Sequence, residues 1–178
     1  MKYLIVFLLL FITVHAVEGS VQVRGAYFLP TANVMREVYH YGGVIPEVEG
    51  SFDIGRNFRA WVNFNAFFRD GVTAARNYFF VQLYELSGGV KYDIEVYQKV
   101  FFYLGDGPSY SWLIEQTRSY YVPSHLYNST IGVIGKGGFY WLFRKYCMLD
   151  IFADYSYAHM GGITASGTIP TSVDVGGL

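Results

Sequence analysis

Charge is scarce in this chain. Only 15% of its 178 residues are Asp, Glu, Lys or Arg, and the formal net charge is −1; a soluble domain ordinarily carries about 25% charged residues. Such a balance gives no electrostatic footprint for nucleic acid, so no nucleic-acid partner is expected. Cysteine is almost missing. Cys147 stands alone, so no internal disulfide can form, which separates the chain from small disulfide-stapled secreted modules and fits a bacterial envelope protein. Long apolar runs are confined to the beginning: beyond Val14 no segment supplies the roughly 18 consecutive apolar residues that a spanning helix needs. Nucleophile elbows, metal-ligand spacings and paired catalytic carboxylates are missing too. No enzyme activity, cofactor or metal is therefore expected.

The apolar start has its own explanation. Met1-Lys2-Tyr3 is a short basic lead, Leu4 to Val14 is apolar, and Val14-His15-Ala16 fits a small-residue cleavage site. Residues 1–16 read as a signal peptide and 17–178 as the mature domain.

Aromatic residues and glycine are plentiful: 17 Tyr, 15 Phe and 20 Gly. Period-two alternation recurs where helical periodicity is weak. "FRAWVNFNAFF" shows it well. Phe58, Ala60, Val62, Phe64, Ala66 and Phe68 form one face, and Arg59, Trp61, Asn63, Asn65 and Phe67 the other. Similar strands are expected at Val21 to Leu29, Pro46 to Ile54, within Phe79 to Tyr92, from Val96 toward Ile114, at Ile131 to Leu142 and at Met148 to Tyr157. Thr171 to Leu178 reads as the opening of an eighth.

Short connections at Gly55-Arg56-Asn57, around Asp93-Ile94-Glu95 and at Phe143 to Tyr146 alternate with long ones at Pro30 to Ile45, Arg69 to Tyr78, Glu115 to Asn128 and Ala158 to Pro170. That rhythm predicts an all-β, up-and-down antiparallel transmembrane β-barrel. Short turns sit at one rim, and long loops form a surface for an unknown ligand at the other. The first long loop is expected to hold a helical turn between Asn33 and Tyr39.

In this arrangement the apolar register faces lipid and the polar register fills the interior. Arg24, Glu47, Glu49, Asp53, Arg59, Lys91, Lys99, Lys136, Asp150 and Asp154 are the expected interior charges, with bulky Trp61, Phe67 and Phe152 among them. Both signs are present, so the charges can pair as a plug, or line a narrow conduit. Tyr27, Tyr92, Trp112, Tyr140 and Trp141 are candidates for interfacial girdles. His40, His125 and His159 fall in or beside long loops, where with Ser124 or Asp106 they could form a surface acyl-transfer or hydrolase site, but the set is scattered and has no catalytic spacing. Gly105-Asp106-Gly107 reads as a strand bend or rim position, because Asp106 otherwise points toward lipid.

The segments "VRGAYFLPTANVMREVY", "VEGSFDIGRNFRAWVNFNAFFRDG", "ELSGGVKYDI", "YLGDGPSYSW", "VIGKGGFYWLF" and "LDIFADYSY" together resemble the small outer-membrane β-barrel proteins of Gram-negative bacteria. That broad group includes the OmpA-like and OmpW-like transmembrane barrels. Within it the look is most similar to envelope barrels of chlamydia-like bacteria. The resemblance implies an outer-membrane location, contact with outer-membrane lipid and with the β-barrel assembly machinery, and a structural or surface-interaction role. A narrow channel is the alternative, and a loop-based lipid-modifying enzyme comes third. It also implies eight strands, the last closing on an aromatic residue. After "VDVGGL" that strand is incomplete, so the expected barrel has eight intended strands with the final one unfinished.

Overall fold

A computed structural model of the chain describes residues 13–16, 19–31, 42–72, 78–117, 125–144, 147–163 and 171–177. Nine antiparallel strands follow one another in sheet order and chain order alike. They are β1 (Thr13–Ala16), β2 (Gly19–Phe28), β3 (Gly43–Asp53), β4 (Phe58–Val72), β5 (Tyr78–Tyr97), β6 (Val100–Thr117), β7 (His125–Arg144), β8 (Cys147–Ile163) and β9 (Thr171–Asp174). The long strands β2–β8 curl through 212° around an axis and leave open edges. At the long-loop end those edges approach one another: Gly177 bridges both Pro30, just past β2, and Ser156 on β8. At the opposite end β1, the last residues of the expected signal peptide, pairs with the start of β2.

The strands run further than the alternation suggested. β5 and β7 have 20 residues each, about twice what a tilted strand needs to cross a hydrocarbon layer. The turn expected at Asp93-Ile94-Glu95 is not there. β5 continues through those residues and reverses at Gln98-Lys99, where Lys99 adopts the left-handed conformation at φ 65°. Asp93 is instead a ladder residue opposite Tyr103. The 33–39 segment, His40 and Ser124 lie outside the described residues.

The concave face is layered. At the long-loop end Phe28, Ile45, Phe67, Val81, Leu83, Leu113, Ala158, Met160 and Val175 form an apolar cluster. At the short-turn end Tyr103, Tyr140 and Met148 form another, with Phe101, Leu142 and Phe152 against it. Charged side chains fill the level between. The interior is thus polar only in its middle, not along its whole length, because Phe67, Val81, Leu83 and Leu113 share the inward register with Arg59, Glu85 and Ser111. Phe67 is 2% exposed and packs on Phe28 at 5.3 Å between ring centroids. Phe67→Ala is expected to destabilise the fold by about 3–5 kcal/mol, the usual cost of emptying an enclosed aromatic site, as measured by denaturant unfolding in detergent micelles.

The convex face is the reverse. Val23, Val48, Val62, Val90, Val133 and Ile151 are all well exposed on it. Two aromatic bands cross it. Phe64, Tyr84 and Trp112 stack near the long-loop end; Phe58 meets Tyr92 and Phe102 meets Phe139 near the short-turn end, each pair with centroids 4.9 Å apart. Tyr140 does not join a band. It points inward, 6% exposed, because β7 presents its odd-numbered neighbours Phe139 and Trp141 to the outside.

Candidate functional site: the charged interior

Eight of the ten sequence-assigned charges lie on the concave face, brought together from β2, β3, β4, β5, β7 and β8. Glu49 is the centre. Its carboxylate receives Arg24 at 2.8 Å, Lys91 at 2.6 Å and Lys136 at 2.7 Å. Arg24 also lies 3.4 Å from Glu47 and 3.3 Å from Asp150, and donates to the Gln22 side-chain oxygen. Lys136 adds Glu47 at 3.4 Å and Asp154 at 2.9 Å. The Tyr103 hydroxyl donates to Asp150. These bonds cross the lumen: Lys136 stands on β7 and Glu49 on β3, strands on far sides of the curled sheet.

Four enclosed cations also lie over aromatic faces. Arg24 sits 4.8 Å from the Phe152 centroid, Arg59 4.8 Å from Tyr140, Lys91 5.3 Å from Tyr103 and Lys136 4.5 Å from Trp61. A ring face attracts a desolvated cation through its quadrupole. Each of these four enclosed cations therefore has a carboxylate on one side and a ring on another, which offsets much of the cost of removing it from water.

Arg59 belongs to a separate, rim-side group. Its guanidinium bonds Asp93, and the Tyr140 hydroxyl donates to the same carboxylate at 3.2 Å. Asp53 and Lys99 lie outside the enclosed network. Asp53 ends β3 with its side chain 62% exposed, 4.0 Å from Arg59. Lys99 is the exposed turn residue between β5 and β6. Asp53 keeps the inward register opposite Arg59 but stands at the open end of β3, whereas Lys99 falls in the turn beyond the end of β5.

The sequence reading missed Glu85, which accepts bonds from Asn65 and Ser111 on the neighbouring strands. It also missed Asp93 and Tyr103. Asn63, Ser87 and Ser109 stand at paired positions on β4, β5 and β6, all enclosed, and have no side-chain partner among the described residues. They form a neutral polar strip on one wall.

The geometry does not gather a catalytic set. His159 is exposed at the end of β8, with Nδ1 2.8 Å from Asp174 on β9. Asp106 lies mid-strand on the convex face, remote in register from that pair. Cys147 is an exposed free thiol at the start of β8. Among the described residues no group of three His, Cys, Asp or Glu side chains could hold a metal.

The curled, all-antiparallel sheet has a counterpart among solved structures. The crystal structure of neisserial surface protein A (NspA) superposes with a TM-score of 0.63, covering 89% of each chain at 19% sequence identity. The shared fold is an up-and-down antiparallel sheet curled in the manner of a β-barrel wall. The likeness carries this broad fold and no finer subgroup such as the OmpA-like or OmpW-like barrels. No protein family profile matches the chain, and no curated protein does.

Proposed function

We propose that this chain is an outer-membrane barrel of a Gram-negative bacterium whose interior is a structural plug and whose long loops do the surface-interaction work. One observation carries the reading: the Glu49 network ties opposite walls together across the lumen. A strand wall crossing lipid must satisfy its backbone within the sheet and present apolar side chains outward, and the convex face fits that demand. Outer-membrane lipid and the β-barrel assembly machinery are the partners this placement implies. The loops carry the role of contacting a ligand, since a rigid scaffold commonly presents its binding residues on such segments.

A narrow channel is the second reading, and the neutral strip of Asn63, Ser87 and Ser109 is the feature that favours it. Any water path along that strip still has to pass the apolar layer of Phe67, Val81 and Leu83. The two readings part in a planar bilayer. The purified protein should migrate faster unboiled than boiled on a gel, as folded barrels do, and be electrically silent. Reproducible ohmic steps from the same folded sample would replace the plug with the channel. Recovery as a soluble protein without a heat-dependent shift would remove the membrane reading.

A further inference from the structure

Asp106 is not explained by the plug, the loops or a strand end. It sits in the middle of β6, exposed on the convex face, with Leu104 and Pro108 as its outward neighbours along the strand. Its register partners are Val90 on β5 and Gly135 on β7. It lies between the two aromatic bands, two outward positions above Phe102 and three below Trp112. Among the described residues it is the only charged side chain on the outward registers between those bands, and its carboxylate has no partner.

The surface around it is cut back. The outward row through Asp106 runs from Ala60 through Val90 to Gly135 and then Tyr155. At Gly135 an added Cβ would meet nothing within 4 Å. Gly88 and Pro108 occupy the row beside it, where β5 and β6 approach so closely that a Cβ on Gly89 or Gly107 would strike the opposite backbone. The apolar belt is thus notched: it is cut back to glycine on the β7 side of a single anion and to Gly88 and Pro108 in the next row, while Val90 and Leu104 flank it elsewhere.

We propose that this notch docks a second integral membrane protein that presents a Lys or Arg at the same depth. The inference rests on the reading of the convex face as lipid-facing. An unpaired carboxylate among acyl chains is unfavourable, and ionisable groups at that depth ordinarily find a partner. Charge complementarity selects the occupant. Lipid headgroup cations lie at the interfaces, beyond the aromatic bands. A second copy of this chain offers no cation on the matching belt among the described residues, so self-association through this face would oppose like charges. A long cationic side chain from another membrane protein fits both the sign and the recess.

Photo-crosslinking in the native membrane tests this. A photoreactive benzoylphenylalanine in place of Val133, beside the notch, should give one discrete adduct with an integral membrane protein that carries Lys or Arg in a spanning segment. Asp106→Asn should abolish the adduct, and Asp106→Lys combined with Lys or Arg→Asp in that protein should restore it. Adducts with lipid only, an adduct at twice the chain mass, or a protein adduct indifferent to Asp106→Asn would each overturn the docking proposal. Heat-dependent mobility of the same samples separates the two levels of inference. Folded, membrane-embedded variants without the adduct remove the docking site alone, whereas absence of the unaltered chain from the membrane removes the lipid-facing reading with it.

Discussion

Glu49→Leu should destabilise the folded chain by about 3–5 kcal/mol, the range for removing one member of a buried ion pair. Equilibrium unfolding in detergent micelles, with the slope of the denaturant dependence held as a check on the unfolded state, measures it. The size follows from what remains after the carboxylate is gone. Arg24 keeps Glu47 and Asp150, and Lys136 keeps Glu47 and Asp154. Lys91 keeps no carboxylate among the described residues, because Glu49 is its one ion-pair partner there. A 2%-exposed ammonium is then left with only the Tyr103 ring.

The double variant Glu49→Leu with Lys91→Met should therefore recover a large part of the loss, since the stranded cation leaves with its partner. The coupling between the two sites, taken from the cycle of single and double variants, should exceed about 1 kcal/mol. Additive effects, each under that size, would mean that water reaches these groups and screens them. That outcome would move the interior from plug toward conduit.

The middle of this molecule was legible in the sequence, and the ends were not. Alternation between apolar and charged residues separates the faces wherever one register is polar, as in "EVEGSFD" or "KYD". It therefore placed Arg24, Glu47, Glu49, Lys91, Lys136, Asp150 and Asp154 on one side of the sheet. Toward the long-loop end both registers become apolar. The register of Arg59 places Phe67 inside and Phe68 outside, but in "FFVQL" nothing in the pattern marks Val81 and Leu83 as the residues that pack with it. The apolar layer over the charges was hidden for that reason.

At the other end the turn chemistry misled. Asp93 and Glu95 look like turn residues, whereas Gln98-Lys99 carries neither Gly nor Asn to announce a left-handed position. The strand extends, and Asp93 becomes the partner of Arg59. The pairing of each interior cation with a ring needs three-dimensional proximity between strands distant in sequence, such as Arg24 with Phe152. No local spacing encodes it.

A charge placed on the outer face should act in the opposite sense from one placed inside, and by an amount set by depth. Val62 is 54% exposed and lies opposite Gly50 and Gly88, between the two aromatic bands. Val62→Arg should cost about 2–4 kcal/mol of folding free energy in lipid vesicles, the range for a cation near the bilayer midplane. Phe64, one outward position further along β4, stacks with Tyr84 at 6.2 Å and belongs to the band near the long loops. Phe64→Arg should lose that ring contact yet pay less for its charge, because a long cationic side chain there can extend toward the headgroups. Comparing each variant in vesicles and in a soluble, lipid-free refolding buffer isolates the membrane contribution. A depth-dependent cost seen only with lipid assigns the convex face to the bilayer. Equal tolerance of both arginines in vesicles would show that this face meets water, and the apolar belt, its aromatic bands and the lone Asp106 would then need a different surrounding.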